Sequence, residues 1–301
     1  MAVDIGTTTV VGYLFERTKA APIAVQGALN SQRTFGADVL SRIAYCNEHT
    51  VAPLQEAIRR QLDSLLQSLC QGAGIAPEAL SGLCVTGNTT MLHLLAGLEP
   101  RSLALAPFTP QSVFGDWHDL ALPHFPGLRA YLPQCISAYV GADITCSVLS
   151  SGIAASDKNV LLVDIGTNGE MVLHTPEGVI GTSTAAGPAF EGSGISAGMS
   201  AQSGAISSVW AEKGQVRFTT VDDAPPVGLC GSGLVDSMAA FLELGILDKR
   251  GRMADSFGGR APLGDSGVFV TQKDVRQFQL AKGAIRGGMD VLLHHCGLSY
   301  E

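Results

Sequence analysis

The chain has 301 residues, 46% hydrophobic and 15% charged, so it exceeds one typical domain and can bury a large core. Its net charge of −8, with no run of Lys and Arg, argues against nucleic acid or an anionic membrane as a partner. No apolar run approaches the roughly 20 residues that span a bilayer and the N-terminus lacks a signal-peptide pattern, so we expect a cytoplasmic protein.

A five-residue repeat opens each half of the chain. The sequence VDIGT stands at residues 3–7 and again at residues 163–167. Apolar residues precede the Asp in both copies, a short polar loop follows, and a second apolar run comes next. This order predicts two similar strand–loop–strand hairpins. The alternative is an ordinary strand that ends in a glycine turn.

The segment between the two copies predicts an α/β lobe. Leucine and isoleucine recur at helical spacing over residues 54–69, with Pro53 suited to the first turn of a helix. Residues 83–86 predict a strand, followed by a helix from Asn88 that Gly97 ends. His93 on that helix has no ligand-type neighbour in sequence, so we interpret it as a packed or surface residue.

Residues 100–135 are rich in proline and aromatic side chains and lack periodicity, which indicates an excursion over one face of the lobe. A helical pattern returns over residues 137–149, and small polar residues follow at 151–158. We therefore predict two lobes, residues 1–152 and residues 153–301.

The second half contains a glycine-rich stretch, and the sequence after it predicts two helices. The first helix starts with Ser232 as its cap, turns Leu234, Met238, Phe241 and Leu242 inward, and ends at Gly245. The second starts at Thr271, with Asp274 completing a capping box, and ends before Gly297. Its interior holds Gly287 and Gly288, which indicate close approach of another backbone or a flat ligand, or tight helix packing.

The hairpin loops suit a phosphate chain. Successive backbone N–H groups and threonine hydroxyls can bind phosphate oxygens. Asp4 and Asp164 repel phosphate unless a hard cation lies between them, so we expect a shared Mg²⁺. Glu170 is a candidate for orienting the attacking water or binding the metal, although it can equally be a solvent-facing strand residue. No P-loop occurs, and the nearest dinucleotide-like pattern does not follow a strand.

Five motifs carry a resemblance to a known family. They are VDIGTTT at residues 3–9, VTGNTTMLHLLAG at 85–97, VDIGTNGE at 163–170, GLCGSGLVD at 228–236 and TQKDVRQFQLAKGAIRGG at 271–288. In this order, over nearly the whole chain, they resemble the ATPase part of the ferredoxin-linked reductive activators of corrinoid enzymes.

The resemblance implies an actin-like ATPase fold of the sugar-kinase and heat-shock ATPase superfamily. Such a fold is α/β, with two ribonuclease H-like lobes, each a mixed sheet flanked by helices. The resemblance also implies that the full-length protein is an ATPase that uses ATP and Mg²⁺ to drive reduction of Co(II) to Co(I). Its partner is then a corrinoid protein or corrinoid-dependent methyltransferase.

The resemblance also assigns the site residues. In it Asp4 and Asp164 serve the ATP-dependent step, while their role as metal ligands and the candidacy of Glu170 as catalytic residue come from the hairpin residues themselves. The phosphate contacts are Gly6, Thr7, Thr8, Thr9, Gly166, Thr167, Asn168 and Gly169, and the residues toward the nucleoside are Gly231, Ser232, Gly233 and Lys282.

Two departures qualify the resemblance. The seven cysteines are widely spaced, with no C-x-x-C pair, so we expect the family's iron–sulfur cluster in a domain outside this chain. The chain also stops at Glu301, where the family continues into a strand and a glycine-rich turn near adenine, so we expect a truncated C-terminal end and weakened nucleotide binding.

Three other functions remain open at this point. One is a small-molecule kinase of the same superfamily, a second is a chaperone-like nucleotide-dependent switch, and a third is a fold member that binds no nucleotide. The sequence also leaves open whether the chain forms a homodimer.

Overall fold

A computed structural model describes residues 1–300 of the chain. The chain divides into two compact units, one of residues 1–160 with 174–181 and the other of residues 161–173 with those from 182 onward. Both contain sheets and helices, which confirms the α/β class.

The first unit is built on a mixed six-stranded sheet of order β3-β2-β1-β4-β6-β5. The central strand β1 pairs antiparallel with β2 and parallel with β4. β1 and β2 form the first of the two predicted hairpins. The strands are β1 (Ala2–Ile5), β2 (Thr9–Phe15), β3 (Pro22–Leu29), β4 (Leu83–Gly87), β5 (Asp116–Asp119) and β6 (Arg129–Leu132).

Four helices accompany this sheet: α1 (Val39–Glu48), α2 (Ala52–Ala73), α3 (Thr89–Ala96) and α4 (Ala142–Ser151). The prediction for α2 is confirmed, since its leucine and isoleucine face is buried and proline lies in its first turn. Gly12 on β2 lets this helix come close, because a Cβ at that position would lie 2.8 Å from Leu69.

The predictions for β4 and α3 are also confirmed. Asn88 caps α3 by accepting a hydrogen bond from the Met91 N–H, and Gly97 ends the helix in the left-handed conformation. His93 is fully buried, and its two ring nitrogens contact the backbone at Thr89 and Gln111. It is a packed residue, one of the two predicted alternatives.

Residues 100–150 differ from the prediction in two ways. The supposed excursion contains β5 and β6, which extend the sheet beyond β4. These strands are only four residues long, too short to show an alternation of apolar and polar residues in the sequence. Helix α4 starts at Ala142 and not at residue 137, because residues 136–140 form a turn in which Ile136 and Ser137 both donate to the Val140 carbonyl.

The second half of the chain holds three small sheets and two long helices. The sheet orders are β7-β8-β9, β11-β10-β12 and β13-β14, and β7 with β8 is the second predicted hairpin. The strands are β7 (Val160–Ile165), β8 (Gly169–Thr175), β9 (Gly178–Thr184), β10 (Ala205–Glu212), β11 (Gln215–Thr220), β12 (Gly228–Leu229), β13 (Arg260–Pro262) and β14 (Phe269–Thr271), and the helices are α5 (Gly231–Glu243) and α6 (Gln272–His295).

The start of α5 corrects a prediction. Its cap is Cys230 and not Ser232, whose hydroxyl donates to the Ser207 carbonyl at 2.7 Å and is therefore not available for capping. Leu242, predicted to face inward, is 49% exposed. Leu234, Met238 and Phe241 are buried as expected.

The start of α6 confirms its prediction. Thr271 and Asp274 form a capping box, and the buried Asp274 carboxylate also accepts hydrogen bonds from the N–H and hydroxyl of Ser196. The capping residue therefore also anchors the glycine-rich segment that precedes β10.

Candidate functional site

The first hairpin loop connects β1 and β2 through a tight turn. A Cβ at Gly6 would lie 2.8 Å from the Thr9 carbonyl oxygen, so a larger residue does not fit there. Asp4, Thr8 and Thr9 are exposed, and Thr7 is half-buried. The predicted phosphate and metal residues of this half of the chain therefore lie together at one accessible turn.

Residues from other parts of the first unit hold the carbonyl groups of this loop. Asn30 donates from Nδ2 to the Gly6 carbonyl at 2.8 Å and from its backbone N–H to the Thr8 carbonyl at 2.9 Å. Arg42 on α1 donates to the Thr7 carbonyl at 2.6 Å. In a trans peptide the next N–H points opposite to the carbonyl. The N–H groups that follow these carbonyls therefore point away from Asn30 and Arg42, as anion binding requires.

The starts of α3 and α4 meet beside this loop. Asn88 donates from Nδ2 to the Thr7 hydroxyl at 3.2 Å while it caps α3. Gly141, which precedes α4, packs so closely that a Cβ there would lie 2.5 Å from the Asn88 Cα. This contact places Asp143, in the first turn of α4, near the start of α3.

The second hairpin loop has a different support. The Gly166 N–H donates to the Asn168 carbonyl, and the Gly187 N–H donates to the Thr167 carbonyl at 2.8 Å. The Glu191 carboxylate accepts from the Thr167 N–H at 3.2 Å and from its hydroxyl at 2.6 Å. A carboxylate thus contacts donors that were predicted to contact phosphate.

Glu191 and Arg42 are two of the residues that sequence reasoning missed. Glu191 lies in the segment AAGPAFEGSG, whose glycine content was the only signal, and Arg42 carried none. Their partners are 24 and 35 residues away along the chain, too far for any local pattern.

Two predicted residues of the second hairpin lie in β8: Gly169, which was predicted as a loop contact to phosphate, and Glu170, for which a strand position was one of the two alternatives. Gly169 is buried, and a Cβ there would lie 2.9 Å from the Thr184 hydroxyl and 3.1 Å from Ile285. Glu170 accepts a hydrogen bond from the Ser183 hydroxyl at 3.3 Å. Asp164, at the end of β7, is exposed.

A cavity of about 380 Å³ in the second unit collects three of the four predicted nucleoside residues, Gly231, Ser232 and Lys282. Gly233 does not line it. The wall is mostly apolar and combines the start of α5 with one side of α6. The other lining residues are Ile165, Phe190, Val235, Phe278 and Ile285.

The glycines at the start of α5 are required by packing. A Cβ at Gly231 would lie 1.7 Å from the Phe190 carbonyl oxygen, and one at Gly233 would lie 2.3 Å from the Ile206 carbonyl oxygen. Both glycines therefore let α5 begin directly against neighbouring backbone. The start of α5 forms one wall of the cavity.

Residues 1–300 contain no group of three or more His, Cys, Asp or Glu side chains arranged to hold a metal ion. All seven cysteines are unpaired. In the same range, no helix combines the length and apolar character needed to cross a bilayer.

Comparison with known families covers both halves of the chain. Residues 1–156 match the family described as the RACo middle region, and residues 158–301 match the C-terminal domain of RACo, the ASKHA domain. ASKHA denotes the actin-like ATPase fold, so the predicted fold is confirmed.

Individual proteins give the same result. The chain is 35% identical to the corrinoid activation enzyme RamQ of Eubacterium limosum, over 99% of this chain and 55% of RamQ. It is 31% identical to a [Co(II) methylated amine-specific corrinoid protein] reductase of Methanosarcina barkeri, over 73% of this chain and 46% of the reductase. A solved reductive activator for a corrinoid, iron–sulfur protein matches with a TM-score of 0.87 and 35% identity, over 99% of this chain and 51% of that structure. The chain thus spans about half the length of these relatives.

Proposed function

This chain belongs to the RACo family of reductive activators of corrinoid proteins, and we propose that it is the part that binds and hydrolyses ATP. The observation that carries the proposal is the pair of VDIGT hairpins, each of which presents an exposed Asp next to a tight loop. In the full protein, the energy of ATP binding and hydrolysis drives reduction of Co(II) to Co(I).

The ASKHA domain implies nucleotide binding, and the cavity in the second unit supports a nucleoside position there. Phe190 and Phe278 give apolar surface to a flat base, with ring centroids 5.7 Å apart in an edge-to-face arrangement. Lys282 supplies a cationic side chain at the rim. We assign Gly231, Ser232 and Lys282 to this position, while Gly233 supports the backbone of α5.

The two hairpin loops are the proposed phosphate sites. In the first, Gly6, Thr7, Thr8 and Thr9 offer backbone N–H groups and hydroxyls. In the second, Gly166, Thr167 and Asn168 do the same, and Gly169 instead secures β8 against α6. Binding of phosphate at Thr167 requires the Glu191 carboxylate to move or to share a cation with the phosphate.

For the metal we propose Asp4 and Asp164, each an exposed carboxylate of its own hairpin, because carboxylate oxygens are ligands that Mg²⁺ prefers. When bound, Mg²⁺ neutralises negative charge on the phosphates. Glu170 remains the proposed residue for orienting water, and its hydrogen bond to Ser183 limits the positions that its carboxylate can take.

The proposed partner is a corrinoid protein or a corrinoid-dependent methyltransferase. The similar proteins are named a corrinoid activation enzyme and a corrinoid-protein reductase, which favours an activator over a small-molecule kinase or a chaperone-like switch. We propose that the iron–sulfur cluster that delivers the electron lies outside this chain. A cytoplasmic location and a homodimer remain predictions.

Titration calorimetry with MgATP tests the nucleotide site. We expect the Asp4→Ala, Asp164→Ala double variant to lose at least about tenfold in affinity, equivalent to about 1.4 kcal/mol, because the cation that screens the phosphates is lost. Adenosine should bind both proteins equally. The matched control is the Asp157→Ala, Asp265→Ala double variant, which removes two other exposed carboxylates.

Equal loss of ATP affinity in the control would show that net charge, and not the hairpin site, governs binding. Absence of ATP binding to the wild-type chain would refute nucleotide binding by this part of the protein. The corrinoid assignment has its own readout, which is stimulation of ATP turnover by a corrinoid protein.

A further inference from the structure

Arg42 on α1 reaches the first phosphate loop from inside the first unit. Its side chain is fully buried. The guanidinium donates from Nη2 to the Thr7 carbonyl at 2.6 Å, from Nε to the Gly36 carbonyl at 3.0 Å, and from Nη1 to the Met91 sulfur at 3.1 Å. One cation therefore joins the loop to the segment before α1 and to α3.

The hydrogen bonds of Arg42 described above all go to uncharged acceptors. Buried arginines are normally paired with carboxylates, whereas these three bonds end on two backbone carbonyls and a thioether sulfur. Burial, and then the nearby Arg33, lower the pKa of Arg42 to about 10, while Asp38 opposes the shift. The side chain is still protonated at neutral pH, so a positive charge lies behind the loop.

The local backbone holds Arg42 in this position. A Cβ at Gly36 would lie 2.6 Å from the Ser41 hydroxyl and 2.7 Å from the Arg42 nitrogen, so only glycine lets its carbonyl reach the guanidinium. A capping box of Asp38 and Ser41 fixes the first turn of α1. The donor to Thr7 is thus already in place before any ligand binds.

We propose that Arg42 is a positioning residue for nucleotide phosphate. It turns the Thr7 carbonyl inward, so that the following N–H points to the ligand side, and it supplies a buried positive charge whose counter-charge is the bound triphosphate. The inference rests on the proposed ATP site and adds to it a residue that does not touch the ligand.

The test compares Arg42→Met, which removes the charge at similar volume, with Arg33→Met, which removes an exposed positive charge from the same region. Affinities for MgATP and for adenosine are measured by calorimetry on the whole chain, and folding is checked by thermal unfolding. We expect Arg42→Met to weaken MgATP binding at least about tenfold and to leave adenosine binding unchanged, because a hydrogen bond from a charged group is lost. Arg33→Met should change MgATP binding less than about twofold.

Arg42→Lys provides a second variant if the methionine variant does not fold. Lysine keeps the charge but lacks the planar fork that reaches Gly36 and Thr7 in two directions. We expect a loss of about threefold or more in MgATP affinity, again with adenosine binding retained.

Unchanged MgATP affinity in a folded Arg42→Met, or in Arg42→Lys when methionine is not tolerated, would overturn the inference and leave the ATP site standing. An equal loss for ATP and adenosine would also overturn it, because that result indicates general destabilisation. No ATP binding to the wild type would refute the proposed function first.

Discussion

At the scale of single residues, the two identical VDIGT loops are contacted by side chains of opposite charge. Arg42 lies buried behind the first loop and donates to the Thr7 carbonyl, whereas the Glu191 carboxylate lies against the second loop and accepts from Thr167. The first loop is therefore prepared to receive an anion, and the second already contacts one. The two loops, each proposed to bind phosphate, therefore differ in what they need from a ligand.

We expect Glu191→Gln to bind MgATP about two- to fivefold more tightly than the wild type, because an exposed negative charge near the phosphates is removed. Calorimetry measures the affinity, with Glu177→Gln as a control that removes an exposed carboxylate at the β8–β9 turn. Weaker binding by Glu191→Gln would contradict this expectation and would indicate that the carboxylate helps to hold the cation.

A second residue-scale prediction concerns His93. Burial lowers its pKa below the ordinary 6.5, although its hydrogen bond to the Thr89 carbonyl opposes the shift. The unfolded chain thus takes up a proton that the folded chain does not, and the stability that neutral His93 contributes is lost as pH falls below about 6.5.

Urea unfolding at pH 7 and pH 5 measures this effect. We expect His93→Gln to be less stable than the wild type at pH 7 but to lose less stability on acidification. The control His295→Gln, at an exposed position on α6, should keep the pH dependence of the wild type. Identical acid sensitivity of His93→Gln and the wild type would rule out a contribution from this ring.

At the scale of elements, α6 shows why two adjacent glycines need separate explanations. A Cβ at Gly288 would lie 2.6 Å from Met171 and 2.7 Å from Thr184, so this position serves packing against β8 and β9. Gly287 has no atom within 4 Å of such a Cβ. Of the alternatives predicted for the pair, tight packing explains Gly288, and nothing in the structure explains Gly287.

Alanine substitutions at these two glycines should have opposite effects. Gly288→Ala overpacks the contact with Met171 and should lower the free energy of unfolding by about 1–3 kcal/mol. Gly287→Ala should raise it by about 0.5–1 kcal/mol, because alanine favours the helix and meets no neighbour. Urea unfolding of the two variants measures both effects. Destabilisation by Gly287→Ala would contradict the expectation and would indicate that the backbone at that position requires glycine.

Elements with strong local signals were predictable. Helix α2 was predicted from its apolar periodicity and its proline, α3 from Asn88 and Gly97, and α6 from its capping box. Strands β5 and β6 were missed because four residues carry too little alternation. Ser232 was misassigned as a cap because its bond to Ser207 depends on the neighbouring strand, which the local sequence does not show.

At the scale of the whole molecule, the repeat predicted the two hairpins but not their supports. β1 and β2 belong to the first compact unit, and the Asp164 loop belongs to the second. Each hairpin follows from its own sequence. Asn30, Arg42 and Glu191 reach the loops through tertiary contacts, so their roles become visible only in the folded chain.

The Glu191 contact also bears on how the protein distinguishes nucleotide from the other anions around it. A carboxylate tethered beside Thr167 acts as an internal competitor with a fixed, high effective concentration. Inorganic phosphate or sulfate makes no contacts outside this loop. Such an anion has to displace the Glu191 carboxylate with the binding energy of the loop contacts alone. A triphosphate whose nucleoside is also bound is itself tethered near the loop. It therefore competes with the Glu191 carboxylate at a similarly high effective concentration. If ATP binds as proposed, we therefore expect the second hairpin to bind it in preference to small free anions.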